Sequence, residues 1–175
     1  MLGLSNASYK VPRLKLHYES DFTSDNDGWG AASVQGTLTQ TFDEDIPGGS
    51  GGGWMKNVYD TNQTSTSGIL RNNTLSSSYK PGDHVFFSYD IYLDGDWDGS
   101  DDVTINHLVG TGMVQASDVE VTQDTEENVY HVTGSSSFTF GGTIVRINFA
   151  EDGDYPQDGA IYYIKNIDVK VYNIV

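Results

Sequence analysis

Apolar and polar positions alternate with a period of two through most of this chain. In HVFFSYDIYL (84–93), Val85, Phe87, Tyr89, Ile91 and Leu93 share one face. In SVQGTLTQTF (33–42), Val34, Leu38 and Phe42 lie on one side and polar groups on the other. In TIVRINFA (143–150), Val145, Ile147 and Phe149 point inward and Arg146 and Asn148 outward. Further strands are expected at 14–18, 54–59, 67–71, 103–109, 118–123, 128–133 and 136–140. The last strand, IYYIKNIDVKVYNIV (161–175), offers Ile161, Tyr163, Ile167, Val169 and Val171 to a core.

No window carries an apolar stripe at helical spacing. Threonine, serine, valine and tyrosine are abundant and alanine is scarce, which suits pleated surfaces. Glycine and aspartate clusters punctuate the strands: DNDG (25–28), PGGSGGG (47–53), KPGD (80–83), DGDWDGSDD (94–102), GG (141–142) and EDGDYPQDG (151–159). Many short strands with regular turn signals indicate a sandwich, jelly roll or barrel. Residues 1–13 precede the strands, carry few core candidates and read as an extended arm.

Composition narrows the function classes. The 175 residues suit one domain with a sizeable core. The formal charge of −16 repels phosphate backbones and anionic membranes, so neither nucleic acid nor membrane is an expected partner. Without cysteine there is no disulfide or thiolate metal site. The N-terminus, MLGLSNASYKVPRLKLHY, has no apolar stretch followed by a small-residue cleavage site, so it reads as the start of a complete gene product and not as a secretion signal.

Few segments point to chemistry. The four histidines, His17, His84, His107 and His131, fall on separate expected strands and form no metal or nucleophile pair, so their expected role is structural. With 25 acidic residues a glycosidase-like carboxylate pair is always available and therefore uninformative. The glycine run 47–53 leads into Trp54-Met55-Lys56, which reads as a strand, so it is a flexible hairpin loop and not a phosphate loop. The Asn-x-Ser/Thr sequons at Asn6, Asn62 and Asn72 carry no weight in a Ser/Thr-rich chain.

Asp94-x-Asp96-x-Asp98-Gly99 matches the first half of an EF-hand loop. The twelfth position, which needs a bidentate acid, is Ile105. A simpler calcium site using Asp94, Asp96 and Asp98 stays open, beside the plain reading of turn residues. Calcium is the one cofactor in view. Aromatic rings stack on the apolar faces of sugars. Trp97 and Tyr155 in acidic loops, Trp54 after the glycine loop and Tyr59 on the same strand are the candidate ligand-binding residues. No catalytic residue is assigned.

Four segments then line up in order: HYESDFTSDNDGWG (17–30), LSSSYKPGDHVFFSYDIYL (75–93), HVTGSSSFTFGGTIVRINF (131–149) and AIYYIKNIDVKVY (160–172). This order resembles the jelly-roll carbohydrate-binding modules of the galactose-binding-domain-like group. The resemblance implies a single jelly-roll β-sandwich over residues 14–175 and a buried Trp29. Such modules often hold calcium between the early acidic segment and an aspartate of the final strand. That aspartate position is Lys165 here, whose ammonium would repel the ion.

The arm resembles those of small virion proteins of tailed bacteriophages, with a Gly-Leu-rich start (MLGLS) and then a basic stretch (KVPRLK). That likeness implies a non-enzymatic structural, capsid-decoration or fibre protein of a virion. Leu2, Leu4, Lys10, Pro12 and Arg13 would attach it to other virion subunits, and the sandwich would meet bacterial surface polysaccharide. A homo-oligomer fits such a protein, although no coiled-coil segment demands one. The alternative is an extracellular carbohydrate-binding module of a secreted polysaccharide-degrading system. A glycosidase or lyase on a jelly-roll scaffold comes third.

Overall fold

The computed structural model describes residues 11–31, 38–60, 69–72, 80–93, 103–109, 114–115, 118–123, 128–137, 145–151 and 158–174. Every regular element among them is a strand. In chain order these are β1 (Pro12–Ser20), β2 (Trp29–Ala31), β3 (Leu38–Glu44), β4 (Trp54–Tyr59), β5 (Ile69–Asn72), β6 (His84–Leu93), β7 (Val103–Val109), β8 (Val114–Gln115), β9 (Asp118–Gln123), β10 (Val129–Ser137), β11 (Val145–Glu151) and β12 (Ile161–Ile174). They form two antiparallel sheets. The seven-stranded sheet runs β3-β4-β12-β6-β10-β9, with β1 also on β12, and the five-stranded sheet runs β2-β5-β11-β7-β8.

β12 is the spine of the larger sheet. β6 pairs along one side of it, while β4 takes residues 161–164 and β1 takes 167–174 on the other. Pro12 and Arg13, expected in the arm, belong to β1 and pair with Ile174 and Asn173, so the strand begins before the expected residue 14. β6 starts from a Lys80–Asp83 turn. The buried Asp83 carboxylate accepts the Lys80 amide at 2.8 Å and the Lys15 ammonium at 2.7 Å.

The inner face of β6 follows the expected alternation, and Val85, Phe87, Tyr89, Ile91 and Leu93 are all buried. β12 departs from expectation in its first half. A bulge between Lys165 and Asp168, with Asn166 at φ 53°, inserts a residue into the ladder against β6. Side chains alternate strictly along a strand, so one extra residue exchanges the faces. Tyr162 and Ile164 therefore join the core before the bulge, and Ile167, Val169 and Val171 after it. Ile161 and Tyr163, expected in that core, lie on the other face of the sheet.

The main cluster packs these residues with Phe22, Trp29, Met55, Tyr59 and Val132. Trp29 carries the smaller sheet into it. Its ring is fully buried and tilted against Tyr18 at 6.5 Å, and its indole N–H donates to Ser20 Oγ at 3.0 Å. Burial pushes the Tyr89 and Tyr162 hydroxyls well above their ordinary pKa, so both stay neutral.

Expectation divided 128–133 from 136–140 at Gly134-Ser135, yet β10 runs unbroken through both residues. Gly134 lies opposite Phe87, and a Cβ there would sit 2.2 Å from Phe87 Cζ. This glycine serves close approach across the ladder and makes no turn.

Candidate functional site

The inner face of the larger sheet is spent on the core, so any site on that sheet lies on its outer face. The outward residues of β6 are His84, Phe86, Ser88, Asp90 and Tyr92, those alternate to the buried set. Register sets their neighbours. On β10, His131, Thr133, Ser135 and Ser137 stand opposite Asp90, Ser88, Phe86 and His84. On β12, Asp168, Lys170 and Tyr172 stand opposite Ser88, Phe86 and His84. Beyond them on β1, Glu19, His17 and Leu14 face Asp168, Lys170 and Tyr172.

One half of this face is roofed. Trp54, Tyr92, Val129, Tyr163 and Ile46 form a second buried cluster, with Ile46 supplied by the β3–β4 connection. That connection holds the glycine run, and its amides are bonded. Gly52 N donates to Asp45 Oδ1 at 2.7 Å, Gly53 N to Asp43 Oδ1 at 3.0 Å and Gly49 N to Ile46 O at 2.9 Å. Gly52 and Gly53 adopt φ of 63° and 76°, values that L side chains rarely reach. The hairpin reading of 47–53 stands, but the amides of Gly49, Gly52 and Gly53 are tied down, and Ile46 just before the run packs on aromatic rings.

The other half is open. Phe86 is 48% exposed, although the polar register of its face gives no reason for a phenylalanine. Tyr172 meets it edge-on, with centroids 5.6 Å apart and an interplanar angle of 88°. Pro12, His84, Phe86, Lys170 and Tyr172 line a cavity of about 550 Å³. A second cavity of about 610 Å³ has Glu19, Asp21, Asp27, Ser88, Asn166 and Asp168 in its walls.

Polar groups around these cavities are held in place. Asp90 accepts from His131 Nδ1 at 2.6 Å and from Asn166 Nδ2 at 2.7 Å. Asp168 pairs with the Lys170 ammonium, and that hydrogen bond raises the lysine pKa above its ordinary value. His17 Nε2 lies 3.0 Å from Asp168 Oδ1 and 3.2 Å from Glu19 Oε1. In the acidic turn, Asp27 Oδ2 accepts the amides of Asp21 and Phe22, and Asp25 Oδ1 accepts that of Asp27. Those aspartates shape the turn.

Two of the aromatic rings singled out from sequence are enclosed. Trp54 is 3% exposed under the β3–β4 connection, with Lys165 Nζ 4.2 Å from its ring centroid. Tyr59 is 1% exposed in the main core, 6.1 Å from Tyr162. Neither leaves a ring face for a ligand to stack on, because Ile46 and Lys165 take that surface in one case and the main core, Tyr162 included, takes it in the other. Trp97, Tyr155, Asp94, Asp96 and Asp98 lie outside the described residues, as do Leu2, Leu4 and Lys10 of the arm. Lys165, read as displacing the modules' calcium, lies in register with Asp90.

Phe86 and Tyr172 escaped the sequence reading, yet a signal was present. In His84-Val85-Phe86-Phe87-Ser88 the doublet puts one phenylalanine on each face, so Phe86 must share the outer face with His84, Ser88 and Asp90.

No protein-family model and no curated protein sequence matches the chain. Solved structures do. The CBM22-1 xylan-binding domain of Paenibacillus barcinonensis Xyn10C superposes with a TM-score of 0.57 at 14% identity, over 95% of this chain and 99% of that domain. The tandem CBM22-1–CBM22-2 of the same protein gives 0.57 at 14% identity, over 97% of this chain and 48% of that one. The CBM22-1–GH10 modules of Clostridium thermocellum endo-1,4-β-D-xylanase 10B, complexed with xylohexaose, give 0.52 at 14% identity, over 89% of this chain and 28% of that one. At this identity the likeness is one of fold, and that fold is the all-β sandwich of the carbohydrate-binding modules.

Proposed function

We propose that the sandwich binds a polysaccharide without acting on it, across the open half of the outer face, with Phe86 as the stacking platform. The observation that carries this reading is the half-exposed Phe86 ring, braced by Tyr172 and flanked by a polar cavity. Sugar recognition needs this combination: an apolar surface for the pyranose face and oriented polar groups for the hydroxyls. Ser135 and Thr133 on β10 and Ser88, Asn166 and Asp168 nearby supply the polar groups. The likeness to a domain described as xylan-binding supports the substrate class.

Affinity electrophoresis through gels containing xylan and other neutral polysaccharides tests the reading. Retardation of the native protein is expected, with Phe86→Ala weakening it at least about tenfold, the loss of one stacked ring. Native protein that no polysaccharide retards contradicts binding. Retardation that survives Phe86→Ala and fails in Trp97→Ala moves the platform to the 94–102 segment.

As to setting, the sequence suggests a phage particle, with the residues before β1 as the attachment. Immunogold labelling of purified particles tests this. The module of a secreted enzyme is the second reading. It is supported by the xylanase in which the matched region is 28% of the chain.

A further inference from the structure

We propose that His17, Glu19 and Asp168 form a divalent transition-metal site of the zinc class. The three side chains come from the paired strands β1 and β12, with Glu19 directly opposite Asp168 and His17 two residues along the same outer face. One ligand atom from each lies within 4.8 Å of the others.

The distances fit a coordination sphere. Zinc binds imidazole nitrogen and carboxylate oxygen at about 2.1 Å, which puts neighbouring donor atoms of a tetrahedron about 3.4 Å apart. His17 Nε2 stands 3.0 Å from Asp168 Oδ1 and 3.2 Å from Glu19 Oε1. A hydrogen-bonded arrangement is less complete. Nε2 carries at most one proton, so it cannot donate fully to both oxygens. Two carboxylates directly opposite each other on neighbouring strands also repel. Lys170 offsets part of that repulsion from the Oδ2 side of Asp168, and a metal ion among the three donor atoms would satisfy the His17 nitrogen and both facing oxygens at once.

The surroundings orient the donors. Lys170 holds Oδ2 of Asp168, which leaves Oδ1 toward His17, the role that outer partners play around ligating carboxylates. Nitrogen with two oxygens favours zinc or a similar ion over calcium, which takes oxygen ligands. Glu19 and Asp168 also line the polar cavity of about 610 Å³, so a bound ion has its remaining position on that side. The site lies apart from Asp94, Asp96 and Asp98 in the chain and does not use Lys165. It shares Asp168, and the cavity wall that Glu19 lines, with the proposed glycan surface, so zinc uptake is read without sugar.

Calorimetric titration of the metal-stripped protein with zinc chloride, in the absence of sugar, tests it. Saturable one-to-one uptake is expected. His17→Gln and Asp168→Asn should each weaken it at least about tenfold, as the loss of a ligand or of its orientation does. The exposed His17 makes its variant the safer one to fold, and an unchanged melting temperature without zinc verifies this. The triple variant Asp94→Asn, Asp96→Asn, Asp98→Asn should bind like the native protein. Absence of saturable uptake overturns the proposal. So does uptake that both single variants retain, or that the triple variant abolishes.

Discussion

The strand pair β6–β12 carries two edge-to-face aromatic pairs on the same outer surface. Tyr92 meets Tyr163 with centroids 5.6 Å apart and planes at 80°, and Phe86 meets Tyr172 at 5.6 Å and 88°. The chemistry of the two pairs is nearly the same, and their fates differ. Tyr92 and Tyr163 are buried with Trp54 beneath Ile46, while Phe86 stays half-exposed. An aromatic pair on an outer sheet face is therefore not itself a site. What decides is whether a connection crosses above it. The β3–β4 connection spends its length roofing one half of the sheet and leaves the other half free for a partner. The bulge at Asn166 separates the halves.

Removing that separation should have the largest effect. Deleting Asn166 restores a regular ladder and moves one half of β12 to the wrong faces. Either Tyr162 and Ile164 or Ile167, Val169 and Val171 would then leave the core. Losing two or three buried side chains, at about 2–5 kcal/mol each, consumes most or all of the roughly 5–15 kcal/mol by which a domain is normally stable. The variant should show no cooperative unfolding transition by circular dichroism, and a cooperative melt would show that the bulge is dispensable.

Next in size is the roofed half. Trp54→Ala removes a ring that is 3% exposed, and a truncation of this kind costs about 3–5 kcal/mol. Ile46→Ala takes away the roof itself, for about 2 kcal/mol or more. Urea denaturation measures both. If Ile46→Ala costs nothing, the covering loop contributes no stability and the contrast between the halves fails.

Legibility in the sequence followed the regularity of the ladder. The inner face of β6 could be read outright, since nothing interrupts its alternation. The first half of β12 was read on the wrong face, because the parity change depends on a positive φ at Asn166, and asparagine tolerates that conformation without announcing it. Gly134 was read as a break between strands 128–133 and 136–140 because glycine in a strand has two meanings, and only the partner strand, with Phe87 opposite, selects between them. A test is direct: Gly134→Ala drives a methyl against the Phe87 ring and should cost about 1–3 kcal/mol by overpacking. Were the site a turn end, the cost would be small. The candidate site suffered most. Trp54 and Tyr59 looked available because a glycine loop and a short strand carry no sign of what packs over them. Phe86 was legible in the Phe86-Phe87 doublet but lay on a strand, while exposed aromatics were sought in loops.

The smallest expected change in stability belongs to Phe86, and it sharpens the comparison most. About half of its surface is already in water, so truncation to alanine forfeits about half of the 1.5–3 kcal/mol that burying a phenylalanine provides, or about 1 kcal/mol. A covered ring would lose three times as much, as Trp54 should. The edge contact with Tyr172 contributes part of that figure, and a cycle of Phe86→Ala, Tyr172→Ala and the double variant in urea should give a coupling of about 0.5 kcal/mol, the low end for aromatic pairs, because water reaches the contact. Polysaccharide retardation should show the reverse ranking: Phe86→Ala abolishes most of it, whereas Trp54→Ala, measured well below its melting temperature, retains it. Equal losses of stability from both rings would mean that the outer face is structural throughout and that its open half has no special claim on a ligand.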